Sequence, residues 1–260
     1  MGNELWEKQS ELVGVDLNER AQLDLLSCFV SRFKDEYESF PQGRTSVPHQ
    51  YYVNNGGLEA VDGEMLYCMI RYFRPTRIIE VGAGNSTCLS AQAVLKNKEQ
   101  FSQDCTLIAI DPRPSRILRA GFPGLSKVVT SRVQQLPLSE FLDLEENDIL
   151  FIDSSHVLKI GSDVQYEYLE ILPRLKKGVI VHAHDIFSPA EYPKQWVVNW
   201  HRFWTEQYLL QAFLTFNCAF EILCAAHFLH LHHPDRLEAA FSSYRRQERC
   251  PGSFWMRKIV

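Results

Sequence analysis

The chain of 260 residues has no excess of positive charge: 27 Lys and Arg stand against 32 Asp and Glu, a formal net charge of −5. Without a basic footprint, nucleic acid is a poor partner and a small molecule a better one. A cysteine framework is also missing. The seven cysteines, at positions 28, 68, 88, 105, 218, 224 and 250, are odd in number and show no C-x-x-C spacing, which argues against a disulfide scaffold or a cysteine zinc site and fits a reducing, cytoplasmic compartment. No apolar run approaches the roughly twenty residues of a membrane span, and the N-terminus lacks the basic and apolar regions of a signal peptide. Gly2 invites N-myristoylation, but Trp6 stands where Ser or Thr belongs. There is no internal repeat and no low-complexity linker. The length suits one α/β domain with decoration rather than two domains.

What is present centres on Ile78-Ile79-Glu80-Val81 running into Gly82-Ala83-Gly84, with apolar residues (Leu89, Ala93, Val94, Leu95) resuming behind it. The pattern predicts strand, tight turn and helix, a unit that offers free backbone N–H groups to a ligand. A dinucleotide fingerprint wants a third glycine, and here Thr87 occupies that place. Glu80 would repel phosphates but accept hydrogen bonds from a cationic, phosphate-free ligand.

Further apolar runs predict strands at 105–110, 127–130, 149–153, 179–187, 220–226 and 252–259. Asp111 follows the second strand, where a carboxylate commonly takes a ribose diol. Helices are expected within 4–38, from an N-cap at Asp62 to Phe73, over 161–175, and as one aromatic-rich helix over 195–216 whose Trp200, His201 and Trp204 lie nearest the mouth of the sheet. Tyr51 and Tyr52 either pack over a ligand or hold a loop. The tract His227–His233 reads as loop histidines at a strand end, and His182 as a core histidine.

Glu80-Val81-Gly82-Ala83-Gly84 resembles motif I (E/D-x-G-x-G) of the class I S-adenosylmethionine-dependent methyltransferases. The resemblance covers roughly residues 58–260. It implies an α/β, Rossmann-like, seven-stranded and mostly parallel sheet of order 3-2-1-4-5-7-6 with strand 7 antiparallel, helices on both faces, and the last two strands forming a terminal hairpin. Residues 1–57 would be a helical and loop extension serving as lid or cap. It further implies that Glu80, Gly82, Ala83, Gly84, Asn85, Ser86 and Asp111 hold S-adenosylmethionine.

Asp153-Ser154-Ser155-His156 at the fourth strand and His184-Asp185 at the fifth resemble the metal-dependent O-methyltransferases of the catechol and macrolide-sugar types. That likeness implies Asp153, His184 and Asp185 as divalent-metal ligands and His156, beside Asp153, as the catalytic base. One departure shifts the metal chemistry: His184 replaces an oxygen ligand, and imidazole suits Zn, Fe or Mn better than Mg. Alternation on a strand also points Asp185 away from His184 unless the chain turns there. The expected function is methylation of a small-molecule acceptor, at oxygen, with no nucleic acid or membrane partner and self-association left open. The alternatives are a cofactor-binding module or sensor without turnover, and an N-methyltransferase without metal.

Overall fold

The computed structural model describes residues 4–260; Gly2, weighed above for lipidation, lies outside the described residues. Seven strands, β1 (Arg77–Val81), β2 (Thr106–Ile110), β3 (Lys127–Val129), β4 (Ile149–Ile152), β5 (Ile180–Ala183), β6 (Phe220–Ala225) and β7 (Phe254–Lys258), form one sheet. Its order is β3-β2-β1-β4-β5-β7-β6, with β7 antiparallel to both β5 and β6 and the remaining pairs parallel. This is the expected topology.

β4 and β5 are buried at every residue and β1 at all but its first. That explains why Ile-Leu-Phe-Ile and Ile-Val-His-Ala carry almost no polar alternation: a parallel strand covered on both faces needs apolar residues throughout. In register across three neighbouring strands lie Phe151, His182 and Trp255. His182 stacks on Phe151 at 4.0 Å between ring centroids and sits 4.5 Å from Trp255, with Nε2 at 3.1 Å from Ser253 Oγ. It is the core histidine that the sequence indicated, and burial drives its pKa well below the ordinary value, helped by the neighbouring charge of His184.

Four local expectations need correction. The chain between β6 and β7 is not a hairpin turn: it forms helices Ala226–His232 and Pro234–Ala240 before returning. His227–His232 is therefore helical, and its short apolar run was equally compatible with strand or helix. His227 is buried with Nδ1 on the Pro251 carbonyl at 3.1 Å, and His230 Nδ1 meets Tyr244 Oη at 2.7 Å.

The aromatic-rich helix is broken into Lys194–Val198 and Glu206–Leu214, with His201 at φ 53° in the interruption. The helix after β4 begins at Asp163, capped by Ser162, and changes to a π-helix over Glu167–Ile171. Finally, Asp62 does not cap its own helix. Its carboxylate instead accepts the backbone N–H groups of Gly252, at 3.0 Å, and Ser253, at 2.8 Å, just before β7.

N-terminal to the sheet, the helix Glu19–Tyr37 buries Leu26, Phe29, Phe33 and Tyr37 in the same continuous core as the strands. Tyr51 is fully buried and donates to the Leu58 carbonyl at 3.0 Å. It braces the segment 56–60 rather than facing a ligand. Among the described residues no helix is long and apolar enough to cross a membrane.

Candidate active site

The parallel strands end together. Beyond their last residues the ladder continues: Asp111 N–H donates to the Val129 carbonyl, Asp153 N–H to Val81, and His184 N–H to Ile152, at 3.1, 2.8 and 2.9 Å. Three sequence-expected residues are thereby fixed at neighbouring strand tips, where an open parallel sheet places its ligand crevice. A cleft of about 680 Å³ lies there, lined by Gly82, Ala83, Gly84, Asn85, Ser86, Asp111, Asp153, His184 and Asp185, and closed opposite by Trp196, Trp200, Arg202 and Trp204.

On the first wall, β1 passes into the helix Asn85–Phe101. Gly82 has φ 82° and lies so close to β4 that a Cβ would stand 1.8 Å from the Asp153 carbonyl oxygen. Gly84 differs: its backbone is extended, at φ −168°, and an added Cβ would meet nothing within 4 Å. Its N–H donates to Thr87 Oγ1 at 3.0 Å, so the residue in the third-glycine position ties down the turn. Asp111 accepts the N–H of Ala83 at 3.2 Å and of Arg113 at 2.6 Å, one on each oxygen. Each oxygen keeps a lone pair for a hydroxyl.

Glu80 lies elsewhere than expected. It is 1% exposed and sits beneath the loop, with Oε1 bonded to the Ser86 hydroxyl and Oε2 without a partner. Burial, partly offset by the hydroxyls of Ser86 and Thr87, pushes its carboxyl up to about 8. The folded protein thus keeps a proton that the unfolded chain releases near the ordinary value of 4.5. The neutral acid's contribution to stability is complete below that value and is lost as pH rises through about 8. Glu80→Gln cannot ionise, so denaturant unfolding at about pH 5.5 and pH 8.5 should show the parent losing on the order of a few kcal/mol more than the variant. Equal losses would refute this account.

On the floor, Asp185 has φ 56°. This left-handed turn, two residues past the end of β5, cancels strand alternation and brings Asp185 to the same site as Asp153. His156, also left-handed at φ 60°, joins them. Its Nε2 is 3.2 Å from Asp153 Oδ1 and 3.7 Å from Asp185 Oδ2, and ligand atoms of Asp153, His156 and Asp185 lie within 4.8 Å of one another. His184, expected in the metal set, stands outside this trio with Nε2 at 3.7 Å from Asp185 Oδ1 and Nδ1 unpartnered. The structure puts His156 where the sequence reading put His184.

Glu206 was not expected in any role. Fully buried, it takes His156 Nδ1 at 2.7 Å and the Tyr168 hydroxyl at 2.9 Å. The break at 199–205 makes this contact: the N–H groups of Thr205 and Glu206 donate to the His156 carbonyl at 2.9 and 3.2 Å. That carbonyl satisfies free donors of the helix start, while the Glu206 side chain reaches back to the imidazole. Below it, Glu167 of the π-helix accepts the Ser154 hydroxyl at 2.9 Å.

Burial works against charge on His156, but its hydrogen bonds with Asp153 and Glu206 overcome it and raise its pKa well above the ordinary value. Burial likewise opposes ionisation of Asp153, and His184 and His156 reverse the balance and hold it down. Asp185 is raised by burial. A lone acid opening a helix carries no sequence signal for such a role unless the helix break is known.

Residues 79–186 match the family model described as a methyltransferase domain. An uncharacterized protein of Archaeoglobus fulgidus is 32% identical over 145 residues, covering 54% of this chain and 62% of its own length. The chain therefore spans less than two thirds of that relative. Among solved structures, the plantazolicin methyltransferase BamL, in complex with a triazolic desmethylPZN analog and SAH, is 15% identical, with 93% of this chain and 97% of its own covered and a TM-score of 0.45. The CmcI-N160 apo-structure is 16% identical, with 76% and 71% covered and a TM-score of 0.43.

Proposed function

We propose, from the match of residues 79–186 to a methyltransferase domain model, that the protein is a class I S-adenosylmethionine-dependent methyltransferase and that it methylates a hydroxyl of a small molecule with the help of a divalent cation. The observation that carries this reading is the convergence of Asp153, His156 and Asp185 one cleft wall away from the Gly82–Ser86 loop.

The residues fit both groups. For the methyl donor, the cleft offers the open face of Gly84, the N–H groups at the helix start and the Asp111 carboxylate for the ribose. S-adenosylmethionine supplies a methyl group on a sulfonium, open to in-line displacement. For a cation, two carboxylates and one imidazole form a mixed oxygen and nitrogen set suited to Mn, Fe or Zn. The buried Glu206 on Nδ1 is the outer carboxylate that commonly fixes the tautomer of a ligating histidine. Bound by these residues, such an ion would lower the pKa of an acceptor hydroxyl and orient it. The chain's own part is alignment: the glycine loop and Asp111 fix the donor, the trio fixes the acceptor oxygen, and the tryptophan wall keeps water away.

The Nδ1 contact also supports a second reading. With Glu206 orienting the ring, His156 Nε2 would be a general base in a cleft without metal, once it has lost the proton that Asp153 and Glu206 favour on it. One nitrogen cannot do both. The test is calorimetric titration of S-adenosylhomocysteine into metal-stripped protein, repeated with Mg, Mn, Zn and Fe, beside elemental analysis of the protein as purified. Micromolar binding together with about one bound metal, lost in Asp185→Ala, is expected. Binding with no metal retained would select the second reading, and no binding would overturn both.

A further inference from the structure

Arg202 is held in an unusual way. Its guanidinium carbon lies 4.6, 5.0 and 4.9 Å from the ring centroids of Trp196, Trp200 and Trp204, and its backbone N–H donates to the Trp196 carbonyl at 2.9 Å. Three indoles fix the cation against the second wall of the cleft. Yet among the described residues no carboxylate pairs with it and no acceptor takes its side-chain N–H groups. The cleft's other arginine is engaged: Arg249 holds Glu59 at 2.7 Å and the Asn54 side chain. A guanidinium carries five donors, and here they are fixed in place and uncommitted.

The surrounding surface is apolar as well. Trp200 is 50% and Phe203 66% exposed, so the wall offers ring faces beside the charge. Position gives the pair its meaning. The Trp204 ring lies 4.2 Å from the His156 imidazole, so Arg202 and the floor trio are one indole apart. An acceptor hydroxyl at the trio and an anionic group at Arg202 would sit at opposite ends of a molecule about the width of one aromatic ring.

We infer that the acceptor is a planar hydroxy acid whose carboxylate is bound by Arg202 against the Trp196, Trp200 and Trp204 wall, with its hydroxyl directed to Asp153, His156 and Asp185. This rests on the proposed methyltransferase reading and adds its substrate class. The acidic floor contributes to orientation, because Asp153 and Asp185 repel a carboxylate and leave Arg202 as its place in the cleft. Arg202 determines specificity and takes no part in the chemistry.

The test uses the full chain loaded with S-adenosylhomocysteine and follows tryptophan fluorescence during titration with 3,4-dihydroxybenzoate and its neutral isostere 3,4-dihydroxybenzamide. The acid should bind roughly tenfold or more tightly than the amide, the margin of a charge-assisted hydrogen bond over a neutral one. In Arg202→Gln that preference should vanish with amide binding unchanged, and Arg202→Lys should retain part of it. Equal binding of the two probes by the parent, a preference that survives Arg202→Gln, or no binding of either probe would each overturn the inference. Calorimetry of S-adenosylhomocysteine on the same variants separates the two failures. Cofactor binding without discrimination between probes sinks the substrate class alone, whereas absence of cofactor binding sinks the methyltransferase reading beneath it. A large loss of cofactor affinity in Arg202→Gln would assign the arginine to the cofactor's own carboxylate and also overturn the inference.

Discussion

Asp153→Ala is expected to lower methyl transfer by about a thousandfold, the scale of several kcal/mol of transition-state stabilisation, while S-adenosylhomocysteine still binds. Asp153 belongs to the trio on the cleft floor and not to the glycine loop on its wall, so its loss should separate turnover from cofactor affinity. Without that carboxylate the proposed cation would keep one oxygen ligand and one nitrogen from the trio, and elemental analysis should find no metal. Glu206→Gln makes the contrast. It leaves all three ligand atoms in place and weakens only the hydrogen bond on His156 Nδ1, so the loss should be nearer ten- to a hundredfold, the usual effect of an outer partner. Product release followed by chromatography, with calorimetry on the same preparations, distinguishes the two. If Asp153→Ala kept both its metal and its turnover, the floor would have another purpose.

Gly82→Ala should destabilise the fold by about 3–5 kcal/mol, in the range reserved for changes that strike backbone geometry or a packed core. Two effects combine. At φ 82° a side chain costs about 1–2 kcal/mol in the left-handed region. The added Cβ also falls 1.8 Å from the Asp153 oxygen and 2.8 Å from its carbonyl carbon, and neither is the end of a flexible side chain that can swing away. For a chain of this size the melting temperature should fall by roughly 10 °C. The same substitution two residues on, Gly84→Ala, meets open space on an extended backbone. It should leave the melting temperature within about 2 °C and weaken S-adenosylhomocysteine instead, since the new methyl projects into the cleft. A melting temperature unchanged in Gly82→Ala would contradict the close approach of β1 and β4.

How far the sequence could be read depended on the range of each interaction. The strand and turn around Glu80–Gly84 and the acids at strand tips were legible, because a continuous apolar run and a glycine turn are local signals, whereas the order of the sheet followed from the resemblance to the class I methyltransferases. Glu80 shows where locality ended: the motif marked the residue, but whether its carboxyl faced the cleft or lay beneath the loop depended on Ser86 folding back over it. Asp185 was expected beside Asp153 provided that the chain turned after the strand, and the left-handed residue at that position is the turn. Trp200 and Trp204 were already expected at the mouth of the sheet, whereas Glu206 and Arg202 came to the site with a helix break that accompanies the docking of Thr205 and Glu206 on the His156 carbonyl. The loop histidines of the tract turned helical for a related reason, since packing against Pro251 and Tyr244 decided an ambiguous apolar run.

The placement of β7 between β5 and β6 sets an order of assembly. The donor side of the cleft uses residues up to Asp111, within the first two strands, and is backed once β4 has paired with β1. The acceptor side is not. Ile186, which follows Asp185, donates its N–H to the Gly252 carbonyl at 2.9 Å, and Asp62 accepts the N–H groups of Gly252 and Ser253. Contacts spanning such sequence separations form late in folding. The segment leading into the last strand of the chain is thus the one that ties the floor of the cleft to the rest of the sheet.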